Sequence, residues 1–510
     1  MTTSISSWTS AQIDSLSTAV ISALGSADVS ALGSAQVPGL SSAQLAAFGT
    51  NITYLGTGAM SALSSAALAG LSSAEAGMLS TGQVSVLSSA DVKALSTAAV
   101  SALGSAEVSV LSSAQVSGLG SAQLAAFGTN ITYLGTGAVS ALSSTALAGL
   151  SSAEAGVLST GQVSVLSSAD VKALSTAAIS ALGSAEVSVL GSAQVPGLGS
   201  AQLAAFGTNI TYLGTGAISV LGSAALAGLS SAEAGVLSTG QVSVLGSAQL
   251  SALSTAAISA LGSAEVSVLG SAQVPGLGSA QLGAIGTNIT YLGTGAISAL
   301  GSAALAGLSS AEAGVLSTGQ VSVLGSAQLS ALSTAAISAL GSAEVSVLGS
   351  AQVPGLGSAQ LGAIGTDITY LGTGAISALG SAAVAGLSSA EAGVLSTSQV
   401  SVLSLAQISA LSTAAINALT VTTVTQLSSF QIPALSTTQI QALSTSSISA
   451  LISSEISALT SVQIPALTTA QIEALTPAQM TIFGQDPTPA NFTPTQIGVM
   501  TSTQINALFT

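Results

Sequence analysis

The 510-residue chain has no cysteine, no histidine and only two basic residues, Lys93 and Lys172. Without cysteine there is no disulfide framework and no thiolate nucleophile. Without histidine the commonest general base and zinc ligand are gone, and a Ser-His-Asp triad cannot be assembled from the many serines. Two cations cannot form a phosphate-binding patch, so nucleic acid is not an expected partner. Charged residues make up 4% of the chain, against about 25% in ordinary soluble domains, and give a formal net charge of −15. Aromatics are 3%. Mean hydropathy is +0.78, yet no apolar run approaches the ~18 residues of a membrane helix, so the chain is not expected to span a membrane. A lipid-surface helix would need a Lys/Arg face that is missing here. The opening MTTSISSWTSAQIDSL has neither a basic stretch nor an apolar one, so no cleaved secretory leader is expected. Hydrophobic content of 48% with so little charge is the opposite of a disordered composition.

What is present is a repeat. Residues 261–284 read LGSAEVSV, LGSAQVPG, LGSAQLGA, and residues 435–450 read LSTTQIQA, LSTSSISA. The octad is Leu, Gly/Ser/Thr, Ser/Thr, Ala, Gln/Glu, Val/Ile/Leu, any residue, small residue. A longer period lies over it. The segment FGTNITYLGTGA starts at Phe48, Phe127 and Phe206, then recurs as IGTNITYLGTGA at Ile285 and IGTDITYLGTGA at Ile364, each step being 79 residues. That step holds nine octads and one seven-residue unit. The chain therefore divides into N-terminal capping repeats (1–47), five 79-residue super-repeats (48–442) and divergent C-terminal repeats (443–510). Atypical ends suit a solenoid, whose terminal units face solvent. The least regular stretch is FGQDPTPANF at 483–492.

One continuous helix is excluded by arithmetic. At 3.6 residues per turn the Leu stripe drifts by about 80° per octad and faces no single core. Two octads indicate the local structure instead. Thr476, Pro477 and Gln479, and again Thr493, Pro494 and Gln496, read as N-cap, N1 proline and N3 glutamine of a capping box. Pro38, Pro196, Pro275, Pro354, Pro433 and Pro465 stand at the seventh position, where proline removes a helix donor. Each octad is thus expected to make one capped helical turn, then an extended link through Leu, with the Leu, the Val/Ile and the Ala buried. Such units bury their apolar side only by stacking. The expected fold is a repeat solenoid, mainly α, of one-turn helices every eight residues wound into a superhelix. The alternative is a β-solenoid with 16-residue coils, since alternate positions are good strand formers.

The candidate sites read mostly as architecture. Glu75, Glu107, Glu154, Glu186, Glu233, Glu265, Glu312, Glu344 and Glu391 stand where other octads have Gln. They suit helix N-termini, and no calcium-loop pattern surrounds them. Asn51, Asn130, Asn209 and Asn288 begin Asn-Ile-Thr sequons, but the fifth copy has Asp367. GTNITYLGTG lacks the lysine of a phosphate loop. It reads as a corner or phase reset with Phe or Ile buried. Its tyrosines, Tyr54, Tyr133, Tyr212, Tyr291 and Tyr370, are candidate interface residues. Lys93 and Lys172 have serine at the equivalent place in later copies, Ser251 and Ser330. Trp8 is expected to anchor the first repeat. No catalytic, cofactor-binding or metal-ligating residue emerges, no cofactor is implied, and the chain is not expected to be an enzyme.

The octads LTTAQIEALTPAQM (467–480) and LSTTQIQALSTSSISAL (435–451) resemble the Leu-Ser/Thr-x-x-Gln-Ile-x-Ala-Leu arrays of repetitive bacterial proteins, some of them surface-associated. The cysteine-free, lysine-poor, acidic composition is similar to that of S-layer and fibre subunits exported without a cleaved leader. These resemblances imply a structural role at the cell surface or outside the cell. From the residues themselves, a surface of Ser, Thr, Gln, Ala and Gly lacks the mixed charges that keep monomers apart. Head-to-tail contacts that do not close would then build an open filament or sheet. The expected function is a self-assembling structural protein whose partner is itself. The alternatives are a cytoplasmic cytoskeletal filament, an adhesin stalk binding cell-surface polysaccharide, or an ice-binding module.

Overall fold

The computed structural model describes residues 5–485 and 491–509. Part of the FGQDPTPANF segment, residues 486–490, therefore lies outside the described residues. The chain falls into two units, Met1–Leu261 and Gly262–Thr510, and each is built in the same way.

The octad folds as a capped turn of helix. In Thr160–Ser164 of the first unit, Ser159 is the extended N-cap and its hydroxyl accepts the Gln162 N–H. Gln162 Oε1 reaches back to accept the Ser159 N–H at 2.9 Å. Orphan donors of the first turn are thereby satisfied within four residues of sequence. Helix length is then limited by the Leu that follows, which turns extended: Leu174, after Ser168–Ala173, has φ −60° and ψ 138°. The C-terminal half uses the same device, with Thr413–Ala418 capped by Ser412 and ended by Leu419. Among the described residues there is no strand, so the 16-residue β-coil alternative is replaced by the helical one. Helical turns capped at most octads give the backbone its hydrogen bonds locally and leave no ladder to form.

Burial corrects one detail of the sequence reading. Leu at position one and Val, Ile or Leu at position six are buried, as in Leu111 and Val116. Alanine at position four is not: Ala114 is exposed, and its neighbour Gln115 is buried at 3% exposure. The face turned inward therefore contains an amide.

The proline octads also differ from expectation. The proline does not merely end a helix; it starts a 3₁₀ turn at Val195–Gly197, Val274–Gly276, Val353–Gly355, Ile432–Ala434 and Ile464–Ala466. Its fixed φ and missing N–H are harmless there, in the first positions of a helical turn. The longest helix, Pro477–Gln485, has nine residues, and Ser279–Ile285, Ser358–Ile364 and Ser502–Leu508 also run beyond a single turn.

Within each unit the octads coil upon themselves. Inter-turn hydrogen bonds reach back 26 residues from Asp91 to Ser65, 27 from Asn51 to Leu24, and 28 and 31 from Gln83 to Leu55 and Ile52. One turn of the coil therefore closes between three and four octads, and each octad packs on those a turn before and a turn after it.

Candidate functional site

The most regular polar constellation is the row of buried glutamines between turns. Gln83 Nε2 donates to the carbonyls of Ile52 (2.8 Å) and Leu55 (2.9 Å) in the turn beneath. Gln115 does the same to Val84 and Leu87. In the second unit Gln320 reaches Ile289 and Leu292, and Gln439 reaches Ile408 and Leu411. One amide thus holds its own helix cap with its oxygen and ties two turns with its nitrogen. Thr476 with Gln479, and Thr493 with Gln496, perform the capping read from the sequence. Both glutamines also tie downward, to Ile448 and Leu451 and to Ile464 and Leu467. The capping half of this role was visible in the octad. The tying half was missed, although an amide fixed one place before a buried aliphatic was its signal.

The seven-residue unit is the same device shortened by one residue. Gly49, Gly128, Gly207, Gly286 and Gly365 open it with φ between 53° and 61°, a conformation that favours glycine. A 3₁₀ helix follows, as in Gly128–Tyr133. Asn130 then takes the place of the missing glutamine, and its Nδ2 donates to Leu103 O at 3.1 Å; Asn51 and Asn209 bond Leu24 and Leu182 likewise. The sequon asparagines are therefore employed as inter-turn ties. Phe48, Phe127, Phe206, Ile285 and Ile364 are buried, and Tyr54, Tyr133, Tyr212, Tyr291 and Tyr370 are half exposed. The tyrosines stand at the surface, each beside a reset of phase.

The carboxylates that repeat at the 79-residue step fall into three groups. Glu75, Glu154, Glu233, Glu312 and Glu391 accept the N–H of their N-cap serine at 2.7–2.8 Å. Glu107, Glu186, Glu265 and Glu344 follow a glycine N-cap and make no such bond. Asp91 and Asp170 have no donor to offer a carbonyl and accept from the turn beneath instead: Ser65 and Ser144 hydroxyls donate to them at 2.7 Å. Asp170 takes its other bonds from Ser167, so serines rather than Lys172 hold it. Trp8 lends its carbonyl to Gln36 Nε2 at 3.1 Å, which places it in the first turn. Among the described residues no three metal-ligating side chains converge, and no helix is long and apolar enough to cross a membrane. A small cavity of about 180 Å³ is lined by Ile456, Ser457, Leu459, Ile464, Ile482, Phe483 and Gln485. It offers one hydroxyl and one amide, and no acid or base.

Glu455 is the exception with a titration consequence. It is 2% exposed, accepts the Ile452 N–H at 2.8 Å, and stands where its neighbours Gln431 and Gln463 tie downward. Burial holds its pKa above the ordinary value of 4.5, only partly offset by the backbone hydrogen bond. The folded chain then binds the proton more tightly than the unfolded one. Its contribution is full below the ordinary value and is lost as pH rises through the raised value. Glu455→Gln is expected to be more stable than the parent at pH 7, by about 1 kcal/mol for the regained tie, with the gap narrowing towards pH 4. Urea midpoints of both proteins across that range check this; an equal gap at both ends contradicts it.

Comparison with known proteins agrees with a repeat architecture. Residues 21–51, 85–121, 164–200, 242–279 and 321–358 match a family model described as the ALTTAQ repeat. No curated protein matches the chain. Among solved structures, a crystal structure of importin beta in an ammonium sulfate condition aligns over 82% of this chain and 59% of that one, at 12% identity and a TM-score of 0.14. The chain thus spans less than two thirds of that protein's length, and so low a TM-score carries no argument. The chain is a helical repeat protein, five segments of which match the ALTTAQ-repeat model.

Proposed function

We propose that the chain is a self-assembling structural protein that forms a filament, fibre or sheet through contacts between like surfaces. One observation carries the reading: most side chains turned outward are short and neutral, while most glutamines are drawn in between turns. In the octad 111–118 the exposed residues are Ser112, Ser113, Ala114 and Ser117. Such residues order at little entropic expense on contact, and few charges oppose the approach of a second copy. The surface differs from the Ser/Thr/Gln/Ala mixture expected from composition, because most of the glutamines are withdrawn from it; Gln12, Gln426 and Gln441 stay exposed. The half-exposed tyrosines add a repeated apolar contact. A location at the cell surface or outside the cell fits this role, and labelling of intact cells tests that part.

Electron microscopy and sedimentation of the purified chain test the assembly. Ordered polymers growing with concentration are expected. Replacing Tyr54, Tyr133, Tyr212, Tyr291 and Tyr370 together by Ser is expected to preserve helix content and raise the assembly threshold at least tenfold. A single 48.2 kDa species at every concentration rejects the proposal.

A further inference from the structure

The inter-turn ties are not evenly distributed. Residues 55–78 form three consecutive octads, LGTGAMSA, LSSAALAG and LSSAEAGM, with Ala59, Ala67 and Glu75 in the fifth position. The alanines have no donor to offer. Glu75 bonds only within its own octad, to Ser72, because an ionised carboxylate accepts and does not donate. Three octads are almost one full turn of the coil. That turn rests on the one beneath without any of the side-chain ties that flank it, from Asn51 below and Gln83 above. The same octad also has the smallest buried residue at position six, Ala76, where its neighbours have Met60, Leu68 and Val84.

The pattern recurs at the 79-residue step in 134–157, 213–236, 292–315 and 371–394. At the glutamate the side chain has the length of a glutamine but no donor. Oε1 of Glu312 and of Glu391 lies against the turn beneath, 3.9 and 3.7 Å from where a Cβ on Gly283 and Gly362 would stand. An amide in that place would bring an N–H to the carbonyl end of the helix below.

We infer that each 79-residue repeat carries one principal compliant joint, the three-octad untied run above its seven-residue unit, at which the solenoid opens first; the two untied octads at 95–110, with Ala99 and Glu107, make a shorter break that opens after it. Opening costs less where fewer buried contacts and hydrogen bonds cross a boundary. In a solenoid such local steps sum along the chain rather than melting it as a whole. Five joints at equal spacing let the chain extend in steps while the tied turns stay closed. The inference concerns the single chain and holds whether or not copies associate.

Hydrogen exchange of the full-length protein, read by mass spectrometry at pH 7, tests it. Amides within 55–78 and its copies are expected to exchange at least tenfold faster than those within 79–92 and 111–127. Glu75→Gln, Glu154→Gln and Glu233→Gln combined are expected to slow exchange threefold or more at those three joints and nowhere else. Uniform protection along the repeat overturns the inference. So does a triple variant whose joints exchange as fast as those of the parent.

Discussion

Gln241→Leu is expected to weaken the junction between its two turns by about 2–4 kcal/mol, because it removes a cap and a tie at once and leaves buried groups unpaired. Gln241 is 2% exposed. Its Oε1 accepts the Ser238 N–H at 2.9 Å, and its Nε2 donates to Ile210 O at 2.9 Å and Leu213 O at 2.8 Å. Leucine fills much of the space but satisfies none of these groups. Gln241→Glu separates the two roles: it keeps the cap acceptor and loses the donors, so it is expected to lie between the parent and the Leu variant. Unfolding of a solenoid need not be two-state. The measurement is therefore local, by hydrogen exchange across 207–243 at several urea concentrations. A Leu variant within 0.5 kcal/mol of the parent, or a Glu variant worse than Leu, contradicts the assignment of the amide.

Gly355→Val is expected to cost about 3 kcal/mol or more, through overpacking rather than lost bonds. Gly355 lies in the 3₁₀ turn Val353–Gly355 and faces the helix start of the turn beneath. A Cβ there would run into the Ser326 carbonyl, with the Ser326 carbonyl carbon at 2.7 Å and its Cα at 3.1 Å. These are backbone atoms at a capped helix start and cannot rotate away, so the two turns must separate. Gly357, two residues on, is the control. It is an extended N-cap whose Cβ would meet only the flexible Gln360 Oε1 at 3.8 Å, and Gly357→Ser is expected to be neutral or slightly stabilising. Thermal melts followed by circular dichroism compare the two. Similar losses for both would show that the close approach at Gly355 does not matter.

Much of the fold was legible because its grammar is local. Thr493, Pro494 and Gln496 mark a helix start within four residues, and Leu recurring every eighth position marks where each helix stops. The non-local part was not legible. That Gln83 lies under its own turn and over Ile52 depends on how many octads close a coil, and a strictly periodic pattern is compatible with any number. The exposed Ala114 and buried Gln115 reverse the polarity rule for the same reason: an amide is comfortable inside only when a carbonyl from the neighbouring turn is waiting. The seven-residue unit was recognised as a phase reset, but the part played by Asn130 became evident only with Leu103 beside it. For function the sequence excludes far more than it selects. The absent histidine and cysteine remove whole classes of chemistry, whereas the quality that favours association, a smooth neutral exterior, belongs to no single residue.

The one-residue-short unit has a consequence for how such a chain avoids folding wrongly. Nearly identical octads invite slippage, since a glutamine finds equivalent carbonyls if the nascent coil advances by one octad too many. Contacts that reach only about a turn back would make such an error quick to form and, once extended, slow to undo. A seven-residue unit spoils the match for every slip that is not a whole super-repeat: its asparagine is too short to serve from a glutamine's place, and its left-handed glycine fits no octad. Like the odd tooth on a timing belt, it lets the growing chain detect a miscount within one super-repeat.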